Sequence, residues 1–239
     1  MVDKIVDNFV QSMGPGTTTR TDTTGSTGAT DAVATRPEDE LRDAIVSGRL
    51  QPNERLIETD LARALGVGRS AVRTALVRLE QEGLVEHERN RGARVRLIDT
   101  DEAVEILEAR AVLEGLAARQ AAEKATTEDV AELRAILEQM RALLDRGDLL
   151  SASDQNAVLH GRLLELAGHD TATRLISALK SQLVRFQYRT ILLPGRSERS
   201  FSEHRAVVDA VAAGDGEKAE AAMRTHLSHV ADALRGAPA

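Results

Sequence analysis

Residues 57–96 constrain the fold of this chain more than any other segment does. Apolar residues recur there at helical spacing, first at Leu61 and Leu65 and then along a second stripe. That second stripe consists of Val72, Leu76 and Leu79. Gly66 lies between the stripes, where a first helix must end and the chain must reverse, which favours a residue that tolerates positive φ. The segment therefore predicts a helix-turn-helix whose two helices share one core.

The second of these helices carries polar residues at the start of its exposed face. They are Arg69, Ser70, Arg73 and Thr74. This end of a recognition helix enters the major groove of DNA, where Arg pairs with guanine O6 and N7 or clamps a phosphate. The alternative is a surface helix whose arginines are merely solvated. The turn glycine, the apolar stripes and a basic hairpin occur together and in order, which favours a DNA-reading head.

A short hairpin is predicted to follow the second helix as a wing. Positions 83–85 begin one strand, and Val95 and Leu97 belong to the return strand. The loop between them, residues 88–94, is rich in Arg and can reach the DNA backbone or an adjacent groove. The formal charge of the chain is −7, yet residues 68–96 hold seven Arg and four Glu. Positive charge is thus concentrated on the predicted reading surface.

Composition excludes several classes of protein. The 239 residues suffice for two modest domains, and the absence of Cys excludes disulfides and thiolate metal sites and favours a reducing, cytoplasmic setting. No apolar run approaches the ~20 residues of a membrane span, and no signal peptide is visible. Aromatic residues make up 2% of the chain, too few for a stacking platform that grips single-stranded nucleic acid.

Changes in composition along the sequence predict that the chain has three regions. Residues 12–35 are rich in Thr, Gly and Ser with almost nothing apolar to bury, so residues 1–35 are expected to be a disordered extension. A winged helix-turn-helix domain spans 36–98, and a helical effector-binding and dimerisation domain spans 99–236. The fold class is therefore mainly α, with a small β-hairpin wing and a C-terminal all-α bundle. The helices predicted in that bundle span 101–124, 128–146, 148–167, 171–191, 202–213 and 215–235.

Two helix starts carry the capping-box pattern, in which a hydroxyl residue is followed three positions later by an acidic residue. The first pair is Thr126 and Asp129, and the second is Ser200 and Glu203. Both pairs are predicted to open a helix.

Five of the six histidines lie in the second domain. Asn156 and His160 are four residues apart and so share one helix face, whereas Asp154 points away from His160. His204 and His226 belong to two other helices. Three imidazoles and one oxygen would suit Zn²⁺, Ni²⁺ or Mn²⁺ with coordination positions left open. Spacing alone leaves open whether these side chains converge.

An enzyme is the competing class, because a metal site rich in His can activate water. Such a site needs a general base, but Glu203 next to His204 is expected to point elsewhere, and no H-E-x-x-H spacing occurs. A DNA-reading head fused to a hydrolase is also uncommon, so the chain is not expected to be an enzyme. A third possibility is a constitutive DNA-binding dimer with a vestigial pocket.

The chain from residue 36 to about residue 235 resembles transcription regulators of the GntR family, FCD subgroup. The motifs that carry the resemblance are GRSAVRTALVRLEQEGLV at 68–85, EARAVLEGLAAR at 108–119, NAVLH at 156–160, LPGR at 193–196, SFSEH at 200–204 and AMRTHL at 222–227. The resemblance implies a homodimer that binds a palindromic operator in double-stranded DNA and responds to a small organic acid.

The resemblance also implies a role for particular residues. A metal would be held by Asn156, His160, His204 and His226, and Arg110 would pair with the carboxylate of the effector. DNA would be read by Thr59, Arg69, Ser70, Ala71, Arg73 and Thr74, and by Arg89, Asn90, Arg91 and Gly92 of the wing. The implied mechanism is a ligand-responsive repressor in which the acid bridges the metal and Arg110.

Some residues depart from the family pattern, and two histidines are not assigned to the metal. Asn156 stands where Asp is more frequent, so the site has less negative charge and a weaker affinity for the metal alone is expected. Thr59 stands where many relatives have Arg, which puts one DNA contact in doubt. His229 is three residues after His226 and can be an effector contact, whereas His169 is interpreted as structural.

Overall fold

The computed structural model describes residues 36–88, 92–183, 186 and 190–236. The chain divides into two compact units between Leu97 and Ile98. Residues 1–35, for which disorder was predicted, lie outside the described residues. The same holds for three predicted wing contacts, Arg89, Asn90 and Arg91.

In the part of the first unit that the structure describes, three helices combine with a small sheet. The elements are α1 (Pro37–Val46), β1 (Arg55–Leu56), α2 (Glu58–Leu65), α3 (Arg69–Gln81), β2 (Val85–Glu88) and β3 (Gly92–Val95). The predicted stripe of α3 forms its core, since Val72, Leu76 and Leu79 are at most 1% exposed. Gly66 ends α2 with φ of 66°, in the left-handed region that its position in the turn predicts. The helix-turn-helix prediction is confirmed.

The wing is larger than the sequence indicates. The strands pair antiparallel in the order β1-β3-β2, with Arg55 opposite Arg94 and Val85 opposite Val95. The hairpin strands extend into the segment that was predicted to be a loop, and Leu97 lies beyond β3 and is 50% exposed. Strand β1 was not predicted, because two residues are too few to show an alternating pattern.

Six helices of the second unit lie wholly within the described residues. They are α4 (Thr100–Lys124), α5 (Thr127–Asp145), α6 (Leu149–Ala167), α7 (Asp170–Gln182), α8 (Arg196–Ala212) and α9 (Gly216–Arg235). Helices α4 and α9 share the most extensive contact in the unit. They approach closely at Gly115, where an added Cβ would lie 2.8 Å from Cγ of Arg224. None of the helices in the described part of the chain has both the length and the apolar character needed to cross a bilayer.

One of the two predicted capping boxes is present. Asp129 N donates to Thr126 Oγ1 at 3.2 Å, and Thr126 N donates to Asp129 Oδ2 at 2.9 Å, so this pair opens α5. The prediction for Ser200 and Glu203 is wrong, because α8 already begins at Arg196 and both residues lie inside it. Helix α7 ends at Gln182, earlier than the predicted limit of residue 191.

Candidate functional site

Three histidines from three helices of the second unit meet in its interior. His160 lies on α6, His204 on α8 and His226 on α9, and each side chain is at most 4% exposed. One ligand nitrogen of each ring lies within 4.8 Å of the others. The Nε2 atoms of His160 and His204 are 3.2 Å apart. The structure thus brings together three imidazoles that spacing alone could not place.

Two carboxylates lie behind this cluster and orient the rings. Glu114 Oε2 is 2.5 Å from His160 Nδ1, and Glu203 Oε2 is 2.7 Å from His226 Nδ1. Burial opposes ionisation of Glu114, but the charges of Arg110 and His160 outweigh it and hold the pKa of Glu114 below its usual range. Burial likewise opposes ionisation of Glu203, yet its hydrogen bond from His226 and the nearby charge of Arg196 lower its pKa.

Ionised carboxylates only accept hydrogen bonds, so each Nδ1 that faces one must donate its proton. In the neutral form of each ring the lone pair then lies on Nε2, on the side away from the carboxylate. This arrangement is the one that orients imidazoles and raises their basicity in metal sites.

Burial also favours the uncharged form of two of the imidazoles. It lowers the pKa of His204 well below the ordinary value of 6.5. It lowers the pKa of His226 to about 4, although the hydrogen bond to Glu203 acts in the opposite direction. Imidazole binds a metal only in its neutral form, so both rings are ready to act as ligands at neutral pH.

Asn156 supplies an oxygen beside the histidines. It lies one turn before His160 on α6 and lines a cavity that the three histidines also border. Asp154 is exposed on the same helix, which agrees with the prediction that it points away from His160. The Oδ1 atom of Asn156 is buried and has no hydrogen-bond partner within the described part of the chain. A buried carbonyl oxygen without a partner is unusual. Three convergent imidazoles and one buried oxygen fit a divalent metal such as Zn²⁺, Ni²⁺ or Mn²⁺.

The histidines border a cavity of about 130 Å³ that can admit a small molecule. Most of its wall is apolar, and its charged lining residues are Arg110, Lys180 and Arg196. Arg110 is held by Glu114, whose Oε1 lies 2.7 Å from Nε and from Nη2 of Arg110.

His229, predicted as an effector contact, does not line this cavity. Its Nδ1 lies 2.8 Å from Glu203 Oε1, and the residue borders a separate groove along α4 and α9. His169 accepts a hydrogen bond from Ala172 N at 3.3 Å and caps α7, which fits its interpretation as structural.

Glu114 and Arg196, which lie beside the histidines, were not among the predicted site residues. The expectation that Glu203 points away from the cluster is wrong. Glu203 lies seven residues after Arg196, two helical turns on the same face of α8, and Arg196 donates to its Oε2 at 3.1 Å. Glu114 did carry a signal, since it follows Arg110 by four residues on a helix face that is otherwise rich in buried alanine.

The predicted DNA-reading residues that the structure describes are exposed on the first unit. Thr59 is exposed on α2, and the start of α3 exposes Arg69, Ser70, Ala71, Arg73 and Thr74. Gly92 opens β3. Arg73 pairs with Glu58 through two hydrogen bonds, Nε to Oε1 at 3.0 Å and Nη2 to Oε2 at 2.8 Å. Arg69 Nη2 lies 4.0 Å from the same carboxylate.

A winged helix-turn-helix with an arginine-bearing second helix, in a chain that also carries a helical unit whose cavity is bordered by histidines, defines a DNA-binding transcription regulator. Sequence comparison agrees. Residues 34–95 match the bacterial regulatory proteins of the gntR family, and residues 105–229 match the FCD domain. The chain belongs to the GntR family of transcription regulators, in the group with an FCD domain.

Named relatives are regulators of the same kind. The chain is 32% identical over 213 residues to the HTH-type transcriptional regulator LutR of Bacillus subtilis, covering 80% of this chain and 96% of the relative. It is 30% identical to a probable D-xylose utilization operon transcriptional repressor of Paenarthrobacter nicotinovorans, covering 82% and 86%.

Solved structures share the fold. E. coli McbR/YncC superposes with a TM-score of 0.67 at 23% identity, covering 83% of this chain and 95% of that one. A putative GntR regulator of Rhodococcus sp. RHA1 superposes with a TM-score of 0.63 at 26% identity, covering 86% and 99%.

Proposed function

We propose that this regulator is a repressor whose affinity for DNA is controlled by a small organic acid bound beside a divalent metal. The metal would be held by His160, His204 and His226 together with Asn156. Arg110 lines the same cavity and would attract the carboxylate of the acid. The protein would act as a homodimer on a palindromic operator, because two linked heads can read two half-sites one duplex turn apart.

One observation carries the part of this proposal that concerns the binding of a metal and an effector. Two of the three imidazoles, those of His160 and His226, are oriented by ionised carboxylates, and all three lie beside a buried oxygen that has no partner among the described residues, at the wall of a cavity. A metal bound there would supply a Lewis-acidic centre that attracts a carboxylate. The chain's own residues hold the imidazoles in the required tautomer and give the acid a largely apolar wall. Asn156 adds no charge, so the carboxylate of the effector would balance part of the metal charge.

The DNA-reading half is supported by the exposed surface at the start of α3. Arg69 and Arg73 are the cations available there for guanine or phosphate, and Thr59 lies on the preceding helix. Wing residues Arg89, Asn90, Arg91 and Gly92 would extend the contact toward the backbone or an adjacent groove.

The test combines metal analysis with DNA binding. Purified protein is assayed for zinc, nickel and manganese, and an operator is recovered by selection from a random duplex pool. Affinity for that duplex is then measured by fluorescence anisotropy with metal alone and with metal plus candidate carboxylates. The proposal predicts a change of roughly 5- to 150-fold when the effector binds, the usual range of allosteric coupling.

Two outcomes would decide against it. A protein without metal that shows no thermal shift with any acid would favour a constitutive DNA-binding dimer with a vestigial pocket. Equal operator affinity with and without a bound acid would remove the regulatory claim. Loss of stoichiometric metal in His160→Ala, but not in the cap variant His169→Ala, would link the metal to the three-histidine cluster.

A further inference from the structure

Among the described residues of the cavity wall, Lys180 is the charged residue without an ion-pair partner. It lies on α7, is partly buried and lines the same cavity as Arg110 and the histidines. No hydrogen bond or ion pair joins its ammonium group to another side chain within the described ranges of the chain. Long cationic side chains are rarely buried unless they are paired, so this lysine calls for an explanation.

The two arginines at the cavity are balanced by carboxylates, which leaves the positive charge of Lys180 unbalanced. Arg110 is paired with Glu114, and Arg196 is paired with Glu203. Glu114 also accepts from His160, so the one carboxylate near Lys180 is already shared by two other groups. Since Asn156 adds no charge, a metal at the histidines would increase the surplus positive charge of the site.

The electrostatic environment of Lys180 also favours the binding of an anion. Burial lowers the pKa of Lys180, and the attraction of Glu114 opposes this only in part, while the repulsion of Arg110 adds to it. The free protein thus keeps an ammonium group in a place that disfavours its charge. Such a cost is retained where a ligand compensates for it.

We infer that Lys180 is a second anion-binding residue of the effector site and that the effector is a dicarboxylic acid. This inference rests on the proposed function, since one carboxylate is taken to face the metal and the histidines. The other carboxylate then pairs with Lys180. The apolar wall surrounds the short carbon chain between them, and the cavity of about 130 Å³ restricts the ligand to a small molecule.

The inference is tested with pairs of acids that have the same number of carbons. Succinate is compared with butyrate, and glutarate with valerate, by isothermal titration calorimetry on the zinc-loaded full-length protein. Wild type should bind the better diacid roughly ten- to a hundredfold more tightly than its matched monoacid, the range expected of a hydrogen bond between charged groups. Lys180→Gln should remove that preference without weakening the monoacid. Lys218→Gln, an exposed lysine of α9, should behave as wild type.

A second variant separates a ligand-binding lysine from a structural one. Lys180→Met replaces an unpaired buried charge by an apolar group of similar length. The ligand-free protein should therefore be at least as stable as wild type in thermal unfolding, and the diacid should no longer raise its melting temperature above the monoacid. A marked loss of stability in the ligand-free variant would instead show that Lys180 holds the fold, and would overturn the inference.

The outcomes also separate this inference from the proposed function. Equal affinity of wild type for diacid and monoacid, or an unchanged preference in Lys180→Gln, would overturn the role of Lys180 and leave the metal-dependent sensor intact. Zinc binding in calorimetry with no response to any of the four acids would overturn the assignment of a small dicarboxylic effector, whereas the proposed function fails only by the outcomes given for it above.

Discussion

Glu114 is expected to set the metal affinity of the second unit, although it is not itself a proposed ligand. Its side chain is 2% exposed and joins His160 Nδ1 at 2.5 Å to Arg110 at 2.7 Å. Glu114→Gln keeps the shape but removes the charge that fixes the tautomer of His160. Loss of such an outer partner lowers metal affinity about 10- to 100-fold, which is about 1.4–2.7 kcal/mol.

The same change should also destabilise the protein, because Arg110 loses its buried counter-charge. Breaking a buried ion pair costs about 3–5 kcal/mol, and the retained amide keeps the loss near the lower end. Zinc affinity is measured by competition with a chromophoric chelator, and stability by urea unfolding of the metal-free protein. Glu123→Gln is the control, since Glu123 lies on the same helix, is 51% exposed and pairs with Arg119 at 3.2 Å. A folded Glu114→Gln protein that binds zinc as tightly as wild type would refute the assigned role.

Three further predictions concern charge and packing. Glu58→Gln should release Arg73, strengthen binding to random duplexes and steepen its salt dependence in anisotropy titrations, and weaker binding to every duplex would contradict this. Because burial lowers the pKa of His226 from 6.5 to about 4, the unfolded chain takes up this proton first as the pH falls. The free energy of unfolding of the metal-free protein should therefore fall by about 3 kcal/mol between pH 6.5 and about pH 4. Urea unfolding of His226→Gln should show a flatter pH dependence. Leu76 is 1% exposed, so Leu76→Ala should lower the free energy of unfolding of the first unit by about 2–5 kcal/mol. Val77 is 42% exposed, and Val77→Ala should lower it much less. Neither change should alter the zinc affinity.

Helical periodicity accounts for the parts of the fold that were predicted well. Val72, Leu76 and Leu79 recur every three or four residues, and a helix with such a stripe has one way to bury it. Gly66 and the Thr126–Asp129 capping box act within a few residues of chain, so their effect is visible locally. The errors lie where the outcome depends on distant partners. Strand β1 exists only because β3 pairs with it, and α8 begins before the false capping box.

From its sequence alone, this chain could be assigned a DNA-reading head, a helical domain and a set of four candidate metal ligands, because each depends on local spacing or on motifs in order. The tertiary structure decided which charged groups meet around those ligands. Glu114 and Glu203 reach the imidazoles, and Lys180 reaches the cavity, from helices far apart in sequence. The physical reason is that burial and electrostatic pairing depend on distances across packed helices, and a linear pattern carries no record of those distances.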